Sequence, residues 1–467
     1  MTRADPRRPA NRVLRRSRIR PETLRLRRRR RLRFTPRPWM IVAAFALLIL
    51  LGAFFLSLPI ASQTRDWTNG IDALFTSTSA VAVTGLTRFD SAEHWSGFGE
   101  AVLAALIQLG GLGVTMYAGL LLLIVAGRFG LRGREFFGME LMDVGERDVL
   151  RLLRRMLVFV VILEAVTFLL LLPWFLDFDH GASGVWKAFF HAISASNNAG
   201  FDLMGGGTGF QGQVSSPYPI AVMTVSAFLG SLSFITVFQM RRRPRLWNLD
   251  TKLVVIGMLG LLSVGVVIFL AGEVQEGRVL DGLGPLDAVV NSFFLAVNRT
   301  TGMATVNIGE LQDATTIALL GLMFIGGAST SVAGGIKMGT LMVSLIVVLS
   351  AFRGKHRAEA FGREIPQAVV IRAVAVTMLG FVTLALGVWA LALTDTVPFL
   401  PLVFEVMSAL ANVGWSQGVT GSLSDGGVLI LVVLMFVGRL GSLMIALSIP
   451  DRPSERYRYP TSSVRIG

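Results

Sequence analysis

The chain has 467 residues, of which 53% are hydrophobic and only 16% are charged, with a mean hydropathy of +0.63 and no cysteine. A soluble core does not need this much apolar sequence, so the composition predicts a polytopic membrane protein. It also excludes disulfides, thiolate metal sites and cysteine nucleophiles.

The net charge of +14 is lopsided: residues 1–38 hold sixteen arginines against Asp5 and Glu22, which leaves the remainder close to neutral. A stretch this basic cannot fold alone and is predicted to be disordered. It does not read as a cleavable signal, because the following apolar run is too long and no small-residue cleavage site follows it cleanly. The expected role is a cytosolic topology anchor touching anionic lipid, with a docking arm for a partner as the alternative. Nucleic acid is not expected, since no aromatic or groove-reading element accompanies the arginines.

Apolar runs long enough to span a bilayer fall near 40–60, 98–127, 153–176, 217–239, 252–272, 315–350, 369–394 and 427–449. Basic residues collect in alternate connections: Arg128 to Arg155, Arg241 to Lys252, Arg353 to Arg363, and Arg452 to Arg465. The other connections are poor in Lys and Arg and carry acids such as Asp66, Asp177 and Glu276. The positive-inside rule therefore predicts both termini and the basic loops in the cytosol, with the chain crossing the cytoplasmic membrane many times.

Each external connection holds a short amphipathic stretch, at 70–80, 185–196, 286–297 and 400–411, followed by a glycine: Gly85, Gly200, Gly302 and Gly414. The glycines are spaced by 115, 102 and 112 residues. A stretch of about a dozen residues is too short to span and reads as re-entrant. At membrane depth it must be surrounded by protein or by a water-filled cavity. The predicted fold is an all-α polytopic membrane protein: four pseudo-symmetric repeats of outer helix, re-entrant half-helix plus loop, and inner helix around one central pore. The expected divisions are a basic tail at 1–38, repeats at 39–127, 128–240, 241–352 and 353–450, and a cytosolic tail at 451–467.

Four such loops suit a cation, which needs oxygen dipoles in place of its hydration shell; rings of backbone carbonyls supply them. The backbone must then adopt conformations that a side chain would block, which accounts for a glycine in each loop. The candidate ion-binding residues are Val83, Thr84 and Gly85; Asn198, Ala199 and Gly200; Thr300, Thr301 and Gly302; and Asn412, Val413 and Gly414. Asn197, Asn198 and Asn412 are expected to brace neighbouring loops. The half-helices point their partially negative ends at the loops. With no carboxylate inside the loops, a monovalent ion is favoured over a divalent one. Taken singly, each glycine also fits a plain packing or turn role.

Ordered motifs then give a resemblance: Thr-Gly-Leu at 84–86, Ile-Gln-Leu-Gly-Gly-Leu-Gly at 107–113, His-Ala-Ile-Ser-Ala at 191–195 and Asn-Asn-Ala-Gly-Phe-Asp at 197–202. They continue with Arg-Thr-Thr-Gly at 299–302, Gly-Gly-Ile-Lys at 334–337 and Gly-Arg-Leu-Gly at 438–441. In these the chain resembles the membrane subunit of the Trk/Ktr/HKT potassium-transporter superfamily, most closely the Ktr type, from about residue 39 to 450. The resemblance implies potassium conduction, in some members sodium-stimulated, by a homodimer gated by a cytosolic nucleotide-binding ring. It implies no cofactor beyond the transported potassium ion, with sodium as a second candidate. Ala82, Met303, Trp415 and Ser442 depart from the commoner residues at these motifs, which bears on the strength of potassium-over-sodium preference.

The sixth run is interrupted by Gly326, Gly327, Ala328, Ser329, Thr330, Ser331, Val332, Ala333, Gly334 and Gly335. So many glycines and hydroxyls make a poor helix, and broken membrane helices line cavities. The stretch is expected to be a gate on the cytosolic side, as the resemblance also implies, with a glycine-rich packing face as the alternative. Lys337 ends it, either snorkelling to the interface or neutralising carbonyls of the broken helix. Arg439 lies inside the eighth run, where an intramembrane arginine marks a functional site by default; it needs carbonyl or acidic partners and joins the gate residues. Glu164 is expected either to glue helices together or merely to lie near an interface, Glu100 and Glu405 to sit at an interface, and His191 to hydrogen-bond a neighbouring loop.

No His/Asp/Glu cluster has metal-ligand or triad spacing, so the chain is not expected to be an enzyme. A polytopic membrane transferase would need clustered polar catalytic residues, which are absent. The ion-binding subunit of an ATP-driven potassium pump shares the four-loop plan and remains an alternative. So does a sodium-permeable transporter of the same superfamily. No phosphate-binding Gly-x-x-x-x-Gly-Lys-Ser/Thr sequence occurs.

Overall fold

The computed structural model describes residues 38–112, 146–206, 209–329, 331–355 and 357–448. The expected tails, the basic loop at Arg128–Arg134 and Thr330 of the candidate gate lie outside them. The described fold is nearly all helix. The exception is a two-stranded antiparallel ladder, Glu359–Ala360 with Arg363–Glu364, in the basic connection before the seventh apolar run.

The helices are α1 (Pro38–Ser57), α2 (Gly70–Ala82), α3 (Gly97–Gly111), α4 (Glu146–Phe178), α5 (Ala182–Ser196), α6 (Pro217–Ser231) and α7 (Phe234–Met240). They continue as α8 (Leu249–Glu273), α9 (Pro285–Asn298), α10 (Asp313–Phe324), α11 (Met338–Phe352), α12 (Gln367–Thr394), α13 (Phe399–Ala411) and α14 (Asp425–Ser448). Their starts are set by local chemistry. Asn69, Ser96 and Asn248 accept backbone N–H groups of α2, α3 and α8 as N-caps. Pro217 and Pro285 open α6 and α9, where a missing N–H costs nothing.

Among the described residues three helices are long and apolar enough to cross a membrane unbroken: Leu153–Phe178, Leu249–Glu273 and Gln367–Thr394. The third, fifth and seventh predicted runs are therefore continuous. The sixth run breaks between α10 and α11. The fourth, expected as one span over 217–239, is also broken: α6 and α7 meet at 103°. Leu232 is extended there, and Ser233 starts a new helix by accepting the Ile235 N–H. The Ser231 carbonyl, freed from the helix, accepts the N–H of Ala328 at 3.0 Å.

The short helices α2, α5, α9 and α13 are the most enclosed elements, and they bury polar side chains among apolar ones. Ser77, Thr78 and Ser79 of α2, and Asn291 and Ser292 of α9, are fully buried. The long helices wrap them: α1 and α3 pack on α2, α4 and α6 on α5, α8 on α9, and α14 on α13. Their outward faces are apolar, as at Leu50 and Phe54 of α1 and Ile371, Trp389 and Leu393 of α12. A continuous apolar exterior around a polar interior suits hydrocarbon rather than water.

Candidate ion pathway

Three of the four glycine loops are built alike. The N–H of Thr84 donates to Ser79 O at 2.8 Å, that of Ala199 to Ser194 O at 2.8 Å, and that of Val413 to Ser408 O at 2.9 Å. Val83, Asn198 and Asn412 are left-handed, with φ of 56°, 56° and 51°. For the β-branched Val83 this is a strained conformation that only its surroundings hold. The third loop differs: both Thr301 N and Gly302 N donate to Asn298 O, at 2.8 and 2.9 Å. A serine six residues before the glycine closes the three similar loops, and the third loop has Ala296 there. Ser79 and Ser408 hydroxyls accept the N–H groups of Gly85 and Gly414, each at 3.1 Å. This recurrence is legible in the sequence, yet spacing the glycines alone passes over it.

The loops meet in a closed cycle. A Cβ at Gly85 would collide with Ala199 O, at Gly200 with Thr301 O, at Gly302 with Val413 O, and at Gly414 with Thr84 O. Each glycine thus lies against the carbonyl that precedes the next loop's glycine, and the fourth loop returns to the first. All four glycines have positive φ, between 78° and 99°. Side chains brace the cycle in two places: Asn412 Nδ2 donates to Thr84 Oγ1 at 2.9 Å, and Asn198 Nδ2 to Thr300 Oγ1 at 3.3 Å.

Two further side chains occupy matching positions nine residues before the glycine. His191 Nε2 accepts the N–H of Leu203 at 3.2 Å while Nδ1 lies 2.7 Å from Lys187 O. Glu405 accepts the N–H of Gln417 at 3.1 Å and the hydroxyls of Ser416 and Thr420. Glu405 is not interfacial but fully buried; three donors compensate the loss of water. Asn197 turns away from the cycle and donates to Gln108 Oε1 at 3.1 Å and Glu164 Oε1 at 2.9 Å. It ties the second loop to the helices behind it. Glu100 accepts from Trp186 Nε1 at 2.6 Å.

On one side of the cycle opens a cavity of about 530 Å³, lined by the four glycines and by Arg88, Asp90, Asp202, Asn307 and Ser416 among others. Arg88 is paired with Asp72. Burial pushes the Asp202 carboxyl up to about 6, with the nearby Asp90 charge adding to the effect.

The break between α10 and α11 is also tightly tied. Gly326 N donates to Ile336 O at 2.8 Å, Ile336 N to Phe324 O at 3.0 Å, and Met338 N to Gly327 O at 2.9 Å. Gly334 packs against Ala411 O and Asn412 of the fourth loop. Arg439 donates to Val332 O within the break and to Gly110 O of α3, the latter at 2.9 Å. Lys337 Nζ donates to Ala333 O at 2.5 Å, so it serves the break's own carbonyls rather than an interface. One residue of the site went unweighed in the sequence beyond its motif: Arg299, whose guanidinium donates to Leu322 O at 3.1 Å and to Ile325 O. Among the described residues no His/Asp/Glu group could hold a metal ion.

The family model TrkH, described as a cation transport protein, matches residues 27–458. The chain is 35% identical over 439 residues to the Ktr system potassium uptake protein B of Bacillus subtilis, covering 93% of this chain and 97% of the relative. It is 36% identical over 443 residues to the potassium/sodium uptake protein NtpJ of Enterococcus hirae, covering 92% and 96%. The crystal structure of the potassium transporter TrkH from Vibrio parahaemolyticus superimposes with a TM-score of 0.67 over 88% of this chain and 84% of that one, at 18% identity.

Proposed function

Because this chain belongs to the TrkH family of cation transport proteins, a family of membrane proteins, we propose that it is the membrane subunit of a potassium uptake system. The observation that carries this reading is the closed cycle of glycine-to-carbonyl contacts among the four loops. A cation entering from the cavity exchanges water for the carbonyls of Thr84, Ala199, Thr301 and Val413, with those of Val83, Asn198, Thr300 and Asn412 below them. Gly85, Gly200, Gly302 and Gly414 let the loops approach closely enough to leave one pathway. The repeats of the sequence, at 39–127, 128–240, 241–352 and 353–450, then form a pseudo-fourfold pore whose third quarter departs from the rest. Residues 326–337 and Arg439 form the gate on the cytosolic side.

The working assembly is a homodimer in the cytoplasmic membrane, both termini cytosolic. A cytosolic nucleotide-binding ring controls it, and anionic lipid contacts the basic tail. The chain needs no cofactor beyond the transported ion. Sodium permeation is the second reading, favoured by the likeness to a relative named for both ions.

Expression in a bacterium deficient in potassium uptake tests the proposal. Growth at low potassium is expected to be rescued, with sodium present and absent compared side by side. Rescue by neither condition, with the chain present in the membrane, overturns it. Sodium influx without potassium influx establishes the second reading.

A further inference from the structure

Arg299 precedes Thr300 in the third loop and is only 3% exposed. Among the described residues no carboxylate pairs with it; its guanidinium is spent on Leu322 O and Ile325 O. These carbonyls end α10, where unpaired acceptors and the helix dipole concentrate negative charge. Ile325 is itself bridged to Ile336 on the far side of the break. The side chain therefore joins the third loop to the α10 end of the broken segment, and the Ile325–Ile336 bridge carries the link to its other end.

The other three loops make this junction differently. The carbonyl four residues before the glycine, on Val81, Ser196 or Leu410, lies directly against a helix glycine, Gly110, Gly230 or Gly438. The third loop has no helix at that level to lie against, because α10 has already ended at Phe324. A long charged side chain replaces the backbone contact. A planar, always-charged fork suits two carbonyls in a way that lysine does not.

Resting on the uptake function above, we propose that Arg299 is a positioning residue that couples the third loop to the segment at 325–337. Ion occupancy of the loop and the closed arrangement of the segment share one guanidinium, so each biases the other by the same factor.

Hydrogen–deuterium exchange on the full chain in lipid nanodiscs reads this coupling. It is run in potassium and in sodium buffer at equal ionic strength and follows peptides spanning 325–338. The bonded amides of Gly326, Ala328, Ile336 and Met338 report the segment's closure. In the unaltered chain, exchange is expected to be several-fold slower in potassium than in sodium. Arg299→Gln is expected to raise exchange by about tenfold and to abolish the ion dependence, while peptides of α8 stay unchanged. Arg299→Lys, which keeps the charge without the fork, is expected to fall between; it decides the matter should Arg299→Gln not fold. Either variant matching the unaltered chain in both ions, or an unaltered chain with no ion dependence, overturns the coupling. Potassium uptake by proteoliposomes of the unaltered chain is measured alongside. Absent uptake overturns the proposed function, whereas uptake with unaltered exchange overturns the coupling alone.

Discussion

At the scale of single residues, the glycines of the cycle have no room for substitution. At Gly302 a Cβ meets Val413 O and lies 2.8 Å from Gly414 Cα, both backbone atoms that cannot swing aside; its φ of 83° also disfavours any side chain. Gly302→Ser is expected to push the third and fourth loops apart and reduce potassium-over-sodium preference by about tenfold, equivalent to roughly 1.4 kcal/mol. Competition between the two ions in a flux measurement checks this; unchanged discrimination removes the third loop from the filter. Asp202 offers a second test. Its carboxyl is held up to about 6 by burial, so it is charged above that pH and neutral below it. A carboxylate at the cavity raises the local cation concentration, and its loss lowers it. Uptake at subsaturating potassium is therefore expected to fall as external pH drops from about 7 to about 5. Asp202→Asn should be flat across that range at the low level; a pH profile unchanged by the substitution assigns the dependence elsewhere.

At the scale of elements, two of the apolar runs are broken among the described residues, and the breaks touch. The Ser231 carbonyl at the α6–α7 bend accepts the Ala328 N–H of the α10–α11 break, and Gly327 packs against the same carbonyl. The bend supplies a free acceptor only because the helix stops there. Deleting residues 328–332 removes this anchor and the Val332 carbonyl that Arg439 holds. On the proposed gating role, the shortened chain is expected to conduct faster in single-vesicle flux assays, with the loops of the glycine cycle left intact. A folded but silent product instead supports a purely packing role. The α10–α11 break was legible from its glycines and hydroxyls, which make helix costly. The α6–α7 bend was not. Its sequence, Gly-Ser-Leu-Ser-Phe, is apolar enough to continue a helix, and the partner that satisfies the carbonyl freed by the stop, Ala328 N–H, lies almost a hundred residues later.

At the scale of the whole molecule, short helices that bury polar side chains among apolar ones are enclosed by apolar long helices. The short amphipathic stretches and their terminal glycines were enough to read the short helices. The helix boundaries of α2, α5, α9 and α13 fall within a few residues of the stretches at 70–80, 185–196, 286–297 and 400–411. Glu405 shows where such reading stops. A carboxyl in so short a stretch looks interfacial, and only its three donors from the loop beyond, on Ser416, Gln417 and Thr420, make burial tolerable. Arg299 is a parallel case: nothing adjacent in the chain explains it, because its acceptors come from the end of another helix.

The sequence by itself determined the glycine loops, their number and their half-helices, because hydropathy, charge bias and backbone permissiveness are local properties that each segment carries alone. Tertiary structure decided which carbonyl each glycine faces, which side chains are buried with partners, and which loop is tied to the break. Those depend on atoms from 11 residues apart, as Glu405 and Ser416, to 328 apart, as Thr84 and Asn412, meeting in space, and no local property encodes that meeting.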